Sequence, residues 1–441
     1  MDRLFGGPGP EQLIGGADKD RLNGARGNTL VQDSRRRSRE DGGQVIADPL
    51  GALVPGWEPS ALAENGAGPL AGLKVVVKDV IDVAGAVTGG GNPEWAAAHE
   101  PAAESGAAVT KLTEAGASVV AKGQCAELAF SLSGDNVHFG MPRNPAAPDR
   151  DPGGSTSGPA SAVAGGLSEL GLGTDTLGSI RVPASYCGIY GFRPTRGRVP
   201  VGGVMPLAQT FDTVGVLADR PERLQRAAEV LLGETIASAQ TPSRFLFAPP
   251  LLSAAEPEVA RAARAAVHDL ARRLGAEAVE TDLLDQAPSP EDGMSAFNVL
   301  QGVQAWRNYG DWVKSAGPSL GPDIAARLKR AARLSSKDVN QAEPVARAVA
   351  DAVARLRPNE ALAFPTTGTP APGRDADADE RERARVSAGQ LTSIATLAGA
   401  PAISMPLLSV GGLPVGLSLV GPPGADLALL AAASAAPAGP S

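Results

Sequence analysis

A chain of 441 residues with 43% hydrophobic and 20% charged residues has a globular balance and enough length for a large core, and length alone predicts two or three domains. Forty basic against 48 acidic residues leave a net charge of −8, and aromatics are only 4%, which excludes a base-stacking nucleic-acid platform and an electrostatic membrane binder. The expected partner is a small molecule; a homodimer is left open.

The first three nonapeptides, DRLFGGPGP, EQLIGGADK and DRLNGARGN, repeat an acidic residue at Asp2, Glu11 and Asp20, leucine at Leu4, Leu13 and Leu22, and glycine at Gly6, Gly15 and Gly24. This resembles the calcium-binding nonapeptide repeat of RTX proteins. Ala25 breaks the glycine pair in the third copy and Thr29 stands where an aspartate belongs. Three copies bury little, so a flexible remnant is expected at residues 1–45 rather than a working calcium site, with the arginine-rich 34–43 as a solvated linker. Residues 46–435 are expected to form the main domain and 436–441 a tail.

From residue 46 short apolar runs alternate with alanine-rich amphipathic segments, the pattern of an α/β protein with a mixed sheet covered on both faces. Strands are predicted at 73–77, 118–121, 244–247, 361–364, 403–407 and 415–420, and helices at 105–115, 257–274 and 341–356. The stretch 365–385, dense in Pro, Asp, Arg and Glu, reads as an exposed connection. Glycines and prolines break every apolar stretch of about 18 residues, and no signal-peptide h-region opens the chain. Cys125 and Cys187 have no metal-ligand spacing and make no disulfide framework, so a reducing, cytoplasmic setting without metal or cofactor is expected.

The chemistry is constrained by scarcity. Only His99, His138 and His268 could serve a histidine-based triad, and His268 belongs to the 257–274 helix pattern while the other two have no recognisable nucleophile beside them. No G-x-S-x-G elbow is present, and the glycine-rich run lacks the Lys-Ser/Thr ending of a phosphate loop. What remains is a run of loops, GGSTSGPASAVAGGLSELGLGTDTLGSIRVPASYCGIYGFRPT, preceded by Lys78 in LKVVVKDV. The 153–158 segment is a hydroxyl-rich loop leading into a helix at Pro159. The 171–181 segment ends a strand and turns through Thr174 to Ser179, where successive backbone N–H groups can point at one oxygen. Asp175 and Arg181 read as supports of that turn.

These motifs resemble the amidase signature family of serine hydrolases, from about Leu70 to Leu430. The resemblance implies one α/β/α fold around a mixed sheet, in place of several domains. It also implies that Lys78 is the base, Ser155 a relay serine after a cis peptide bond, and Ser179, 24 residues further on, the nucleophile. Backbone amides of Thr176, Leu177, Gly178 and Ser179 would form the oxyanion hole. Lysine serves as a base only when neutral, and the apolar neighbours Val75, Val76, Val77, Val80 and Ile81 provide a setting dry enough to lower its pKa.

The strings KDVIDVAGAVTGGGNPEW and ELAFSLSGDNVHFGMPRNP are closest to the plant-type indole-3-acetamide hydrolase branch, which implies hydrolysis of a small carboxamide such as an arylacetamide to acid and ammonia. Residues 131–138 and 205–211 are expected to shape the pocket. The alternatives are a glutamine amidotransferase component of the A type, or a weakened binding or scaffold protein on the same fold. The family has glycine where Leu177 stands, so if that position needs φ > 0 the oxyanion turn is expected to be distorted there.

Overall fold

The computed structural model describes residues 47–55 and 67–436, together with the backbone of four short strands, Arg3–Phe5 (β1), Leu13–Ile14 (β2), Arg21–Asn23 (β3) and Val31–Gln32 (β4). The chain divides into two units, 1–45 and 46–441. In the first, β1 pairs in parallel with β3 and β2 with β4, placing Arg3 opposite Arg21 and Leu13 opposite Val31. Asp2, Glu11, Asp20 and the linker arginines lie outside the described residues, as do 437–441.

The second unit is organised by one ten-stranded sheet. Its strands are β5 (Lys74–Lys78), β6 (Ser118–Gly123), β7 (Leu170–Asp175), β8 (Tyr190–Arg193), β9 (Thr213–Ala218), β10 (Arg244–Phe247), β11 (Glu277–Glu280), β12 (Glu360–Pro365), β13 (Ala402–Val410) and β14 (Leu413–Val420). They lie in the order β11-β10-β12-β14-β13-β8-β9-β7-β5-β6. Pairing is parallel at both ends and antiparallel from β12 through to β7, so the sheet is mixed as expected.

Side-chain alternation along the strands feeds two separate apolar layers. Phe245, Phe247, Ala361, Ala363, Ile403 and Met405 face one layer, with Val259, Ala263 and Val267 from helix Pro257–Leu274. Leu246, Leu362, Phe364 and Ala402 face the other, with Phe297 from helix Pro290–Ala316 and Leu391 from helix Ala378–Ala398. Helices therefore cover both faces. Among the described residues no helix is long and apolar enough to cross a membrane.

The stretch 365–385 departs from its sequence reading. Pro365 closes β12, and helix Ala378–Ala398 begins well before the stretch ends, capped by Asp377, whose side chain accepts from the Glu380 N–H. Its first turns are charged and hide the apolar stripe that starts at Ala384 and Ala388.

Candidate active site

Lys78 ends β5, a strand whose Val75, Val76 and Val77 are buried. Its side chain has 0% exposure, and Nζ lies 2.7 Å from Ser155 Oγ and 2.8 Å from Thr174 Oγ1. Burial pulls the ammonium pKa from 10.5 down to about 8, against the smaller opposing fields of Cys125, Asp175 and Asp212.

Ser155 follows a cis Gly154-Ser155 peptide bond, and a Cβ on Gly154 would fall 2.1 Å from the Ser133 carbonyl oxygen, so only glycine fits there. The next residue, Thr156, donates its N–H to Ser179 O at 3.3 Å and leads into helix Ser157–Ala164, with Pro159 in the first turn.

Ser179 stands just after β7. The backbone N–H groups of Thr176, Leu177, Gly178 and Ser179 donate to no acceptor among the described residues, whereas those of Ile180 and Arg181 go to Asp175 Oδ2 at 3.3 and 3.4 Å. A run of unspent donors flanked by a fixed support is what an oxyanion requires. Asp175 is the support, receiving Arg181 Nε and Nη2 at 2.9 Å each and Arg193 Nη1 at 3.1 Å. Burial works to raise its pKa, but the two guanidinium groups outweigh it and hold the carboxyl well below the usual range. Arg181 also donates to the Leu177 carbonyl at 3.0 Å, and Thr176 Oγ1 donates to Asp212 Oδ1 at 2.6 Å. Gly178 leaves room for Thr392, whose Oγ1 would lie 2.9 Å from an added Cβ.

The expected distortion at Leu177 is corrected by the backbone geometry. Among the described residues the non-glycine positions with positive φ are Leu128 and Ala129; Leu177 is not one of them. Its side chain is buried in the apolar layer with Val182 and Phe211. Leu177→Gly is therefore expected to leave kcat for amide hydrolysis no higher and to cost about 2–4 kcal/mol of stability through the lost side chain, read by ammonia release and denaturant unfolding.

Ser179 is 4% exposed and opens onto a narrow cleft lined by Phe130, Ser131, Leu132, Asn298, Gln301 and Arg327. Its hydroxyl makes no hydrogen bond among the described residues, so the structure joins Lys78 to Ser155 and the Ser155 loop to the Ser179 backbone without linking the two hydroxyls. Of the two segments predicted to shape the pocket, 131–138 contributes Ser131 and Leu132. The 205–211 segment instead supplies the Leu207 and Ala208 N–H groups that hold Asp212. A larger hollow of about 540 Å³, lined by Ser253, Glu256, Asp379 and Ser387, contains none of the predicted site residues.

The histidines stay apart from this chemistry. His138 Nε2 meets Glu127 at 3.0 Å, His99 stacks on Trp95 and His268 packs near Phe247. Among the described residues no group of three or more His, Cys, Asp or Glu side chains is placed to hold a metal. Sequence reading missed Thr174, Asp212, Asn298, Gln301 and Arg327. Thr174 lay inside the quoted motif, while the others approach from distant segments and left no local signal.

Residues 58–430 match the Amidase family. The chain is 36% identical over 388 residues to Amidase 1 of Arabidopsis thaliana, covering 82% of this chain and 91% of that protein. It is 32% identical to the A component of glutamyl-tRNA(Gln) amidotransferase from Symbiobacterium thermophilum, covering 82% of each. A solved amidase crystal structure superposes with a TM-score of 0.74 at 32% identity, over 83% of this chain and 84% of that one. The chain belongs to the Amidase family, and its activity is that of an amidase, a hydrolase of amide C–N bonds. The matched span begins beyond residues 1–45, and nothing in it bears out the nonapeptide resemblance.

Proposed function

We propose that the chain hydrolyses a small carboxamide through an acyl-enzyme on Ser179, with Lys78 and Ser155 as its proton relay. The observation that carries this reading is the buried contact of Lys78 Nζ with Ser155 Oγ at 2.7 Å. With its pKa brought to about 8, Lys78 is neutral in an appreciable fraction of molecules near neutral pH. It accepts the Ser155 proton as Ser155 accepts that of Ser179, whose Oγ attacks the amide carbon. The tetrahedral oxyanion is received by the free N–H groups of the 176–179 turn. Ser155 then delivers a proton to the departing ammonia, and water, activated through the same relay, hydrolyses the acyl-serine. Thr174 Oγ1, 2.8 Å from Nζ, keeps the lysine aimed at Ser155.

An arylacetamide such as indole-3-acetamide is the substrate implied by the strings around Lys78 and His138. A second reading, an amidotransferase component of the A type, is supported by the 32% identity to such a protein; release of ammonia from glutamine at the expense of simple amides separates it from the first. The weakened-scaffold alternative drew support from Leu177, and the backbone at that position does not supply it. Two cysteines, both free and buried, favour a reducing cytoplasmic compartment.

The decisive experiment is fluorophosphonate labelling followed by mass spectrometry. A single adduct on Ser179 is expected. Because the active form carries neutral lysine, the labelling rate should climb about tenfold per pH unit below about 8 and level off above it. An adduct on another serine, or a rate indifferent to pH, overturns the assignment.

A further inference from the structure

Lys78 gains a charge when it acts as a base, and the groups around it are unequally free to meet that charge. Three of them act on the buried ammonium through their fields: Cys125 after β6, Asp175 at the end of β7 and Asp212 just ahead of β9. Burial pushes the Cys125 thiol up to about 12, so it is neutral at ordinary pH. Asp175 is spent on Arg181 and Arg193, at 2.9 and 3.1 Å. Asp79, the residue after Lys78, is closed in the same way by Lys122 at 2.9 Å. Tyr309, within reach of the Asp212 field, is held protonated by burial and donates to the Pro206 carbonyl at 2.6 Å. Asp212 itself makes no ion pair among the described residues.

Three donors converge on the two oxygens of Asp212, the set an ionised carboxyl matches. Oδ1 accepts from Thr176 Oγ1 at 2.6 Å, and Oδ2 from the Leu207 and Ala208 N–H groups at 3.0 and 2.9 Å. Burial pushes its pKa up, and these donors together with the Lys78 charge oppose the push. A buried carboxylate without a counter-ion costs stability, so its presence at 8% exposure needs a reason.

The strands supply one. β5, β7 and β9 are neighbours, with Val77 opposite Leu172 and Asp175 opposite Thr213, so Lys78 at the end of β5 and Asp212 ahead of β9 flank the end of β7. Thr174 and Thr176, two residues apart there, each serve one of them. Thr174 Oγ1 lies 2.8 Å from Lys78 Nζ, and Thr176 Oγ1 lies 2.6 Å from Asp212 Oδ1. All four residues are buried, where a charge acts across a short gap with little screening.

We propose that Asp212 is a positioning residue for the amidase reaction: its carboxylate is the counter-charge for the ammonium formed when Lys78 takes up the Ser155 proton, and it ties Thr176 into the turn that receives the oxyanion. This rests on the Ser179 reading above and deepens it. The proton leaving Ser179 reaches Lys78 through Ser155 as the new C–O bond forms, and returns by the same route to the nitrogen as the C–N bond breaks. Lys78 is therefore an ammonium throughout the life of the tetrahedral intermediate, which is when the charge of Asp212 counts.

The test measures the fluorophosphonate labelling rate of Ser179, and ammonia release from indole-3-acetamide, against pH on the full chain. In wild type the labelling rate should level off above about 8. Without the Asp212 field Lys78 gives up its proton more readily, so Asp212→Asn should move that limb to lower pH by about half a unit or more while the plateau falls about tenfold. Below the limb the resting lysine is already an ammonium, and Asp212 stabilises it before and during attack alike, so the loss there should be only about threefold. KM should hardly move, since Asp212 does not line the cleft. Asp212→Ser removes the same charge without setting an amide hydrogen against the Leu207 or Ala208 N–H, and carries the test where thermal unfolding shows the asparagine protein not to be folded. Thr176→Val breaks the tie and keeps the charge, so it should lower the rate by the same factor at every pH and leave the limb in place. Asp351→Asn, the same charge change at an exposed position of helix Ser336–Ala354, should leave limb and plateau unchanged. A loss equal at every pH in the Asp212 variants, or a limb that Thr176→Val moves as far as they do, overturns the inference and leaves the amidase site standing. Absence of labelling at Ser179 in wild type defeats the underlying reading, and the inference with it.

Discussion

Ser179→Ala is expected to lower amide turnover by about 10⁴-fold or more, because in the mechanism proposed the acyl-enzyme forms on the Ser179 hydroxyl. Folding should scarcely change. The Ser179 hydroxyl has no hydrogen-bond partner to lose, and alanine keeps the backbone that receives the Thr156 N–H, so the stability change should stay within about 1 kcal/mol. The comparison needs ammonia release from both proteins at one pH with thermal unfolding alongside. A folded Ser179→Ala protein that keeps wild-type turnover moves the nucleophile elsewhere, and Ser155, the serine that touches Lys78, becomes the first alternative. The size of the expected loss also separates Ser179 from the residues around it: removing a single oxyanion donor costs about 10²–10³-fold, and the remaining N–H groups of the turn still act.

The parts of this site that were legible in the sequence are those whose chemistry is local. Ser155 needs glycine before it because the Ser133 carbonyl crowds that backbone, and the GGSTSG string records the requirement directly. Lys78 was marked by its place in the motif ahead of the two serines, and its neighbours Val75, Val76 and Val77 agree with the dry setting the strand gives it. Strands β13 and β14 were legible because their alternate residues enter opposite apolar layers. Arg327, Gln301 and Asn298 were not, because each sits on a helix whose own pattern is ordinary and whose position over Ser179 is set by packing alone. Asp212 illustrates the same limit, having its meaning only through Thr176, 36 residues earlier. Leu177 shows the converse error: comparing residue types suggested a backbone requirement that the actual φ does not impose. Helix Ala378–Ala398 was hidden because charged first turns look like a loop until the buried stripe begins.

The largest stability effect is expected at Asp175, which contacts no substrate in the mechanism proposed. Its carboxylate is fully buried between Arg181 and Arg193, which are themselves 1% and 0% exposed, and its backbone carbonyl also accepts from Arg193. Asp175→Ala would leave two buried cations facing each other without their counter-charge. Breaking a buried pair in this way costs about 3–5 kcal/mol, and a shared carboxylate places the variant at or above the upper end. Arg193 shows the strain already, since burial lowers its pKa to about 10 even with Asp175 opposing the shift. The same substitution frees the Ile180 and Arg181 N–H groups, so the 176–179 turn loses its anchor and kcat should fall together with stability. Asp175→Asn isolates the charge, because the amide oxygen can still accept one of these bonds while the counter-charge is gone. The pH dependence has a definite sign. A carboxyl whose folded pKa lies below the unfolded value of about 3.9 contributes its stability fully above that value and loses it as acid protonates the folded form. Wild type should therefore destabilise steeply below about pH 4, and Asp175→Asn, which has no such proton to take up, should follow a flatter curve from a lower starting point. Denaturant melts of the two proteins between about pH 3 and pH 7 check this, and parallel curves would remove Asp175 as the source of the acid sensitivity.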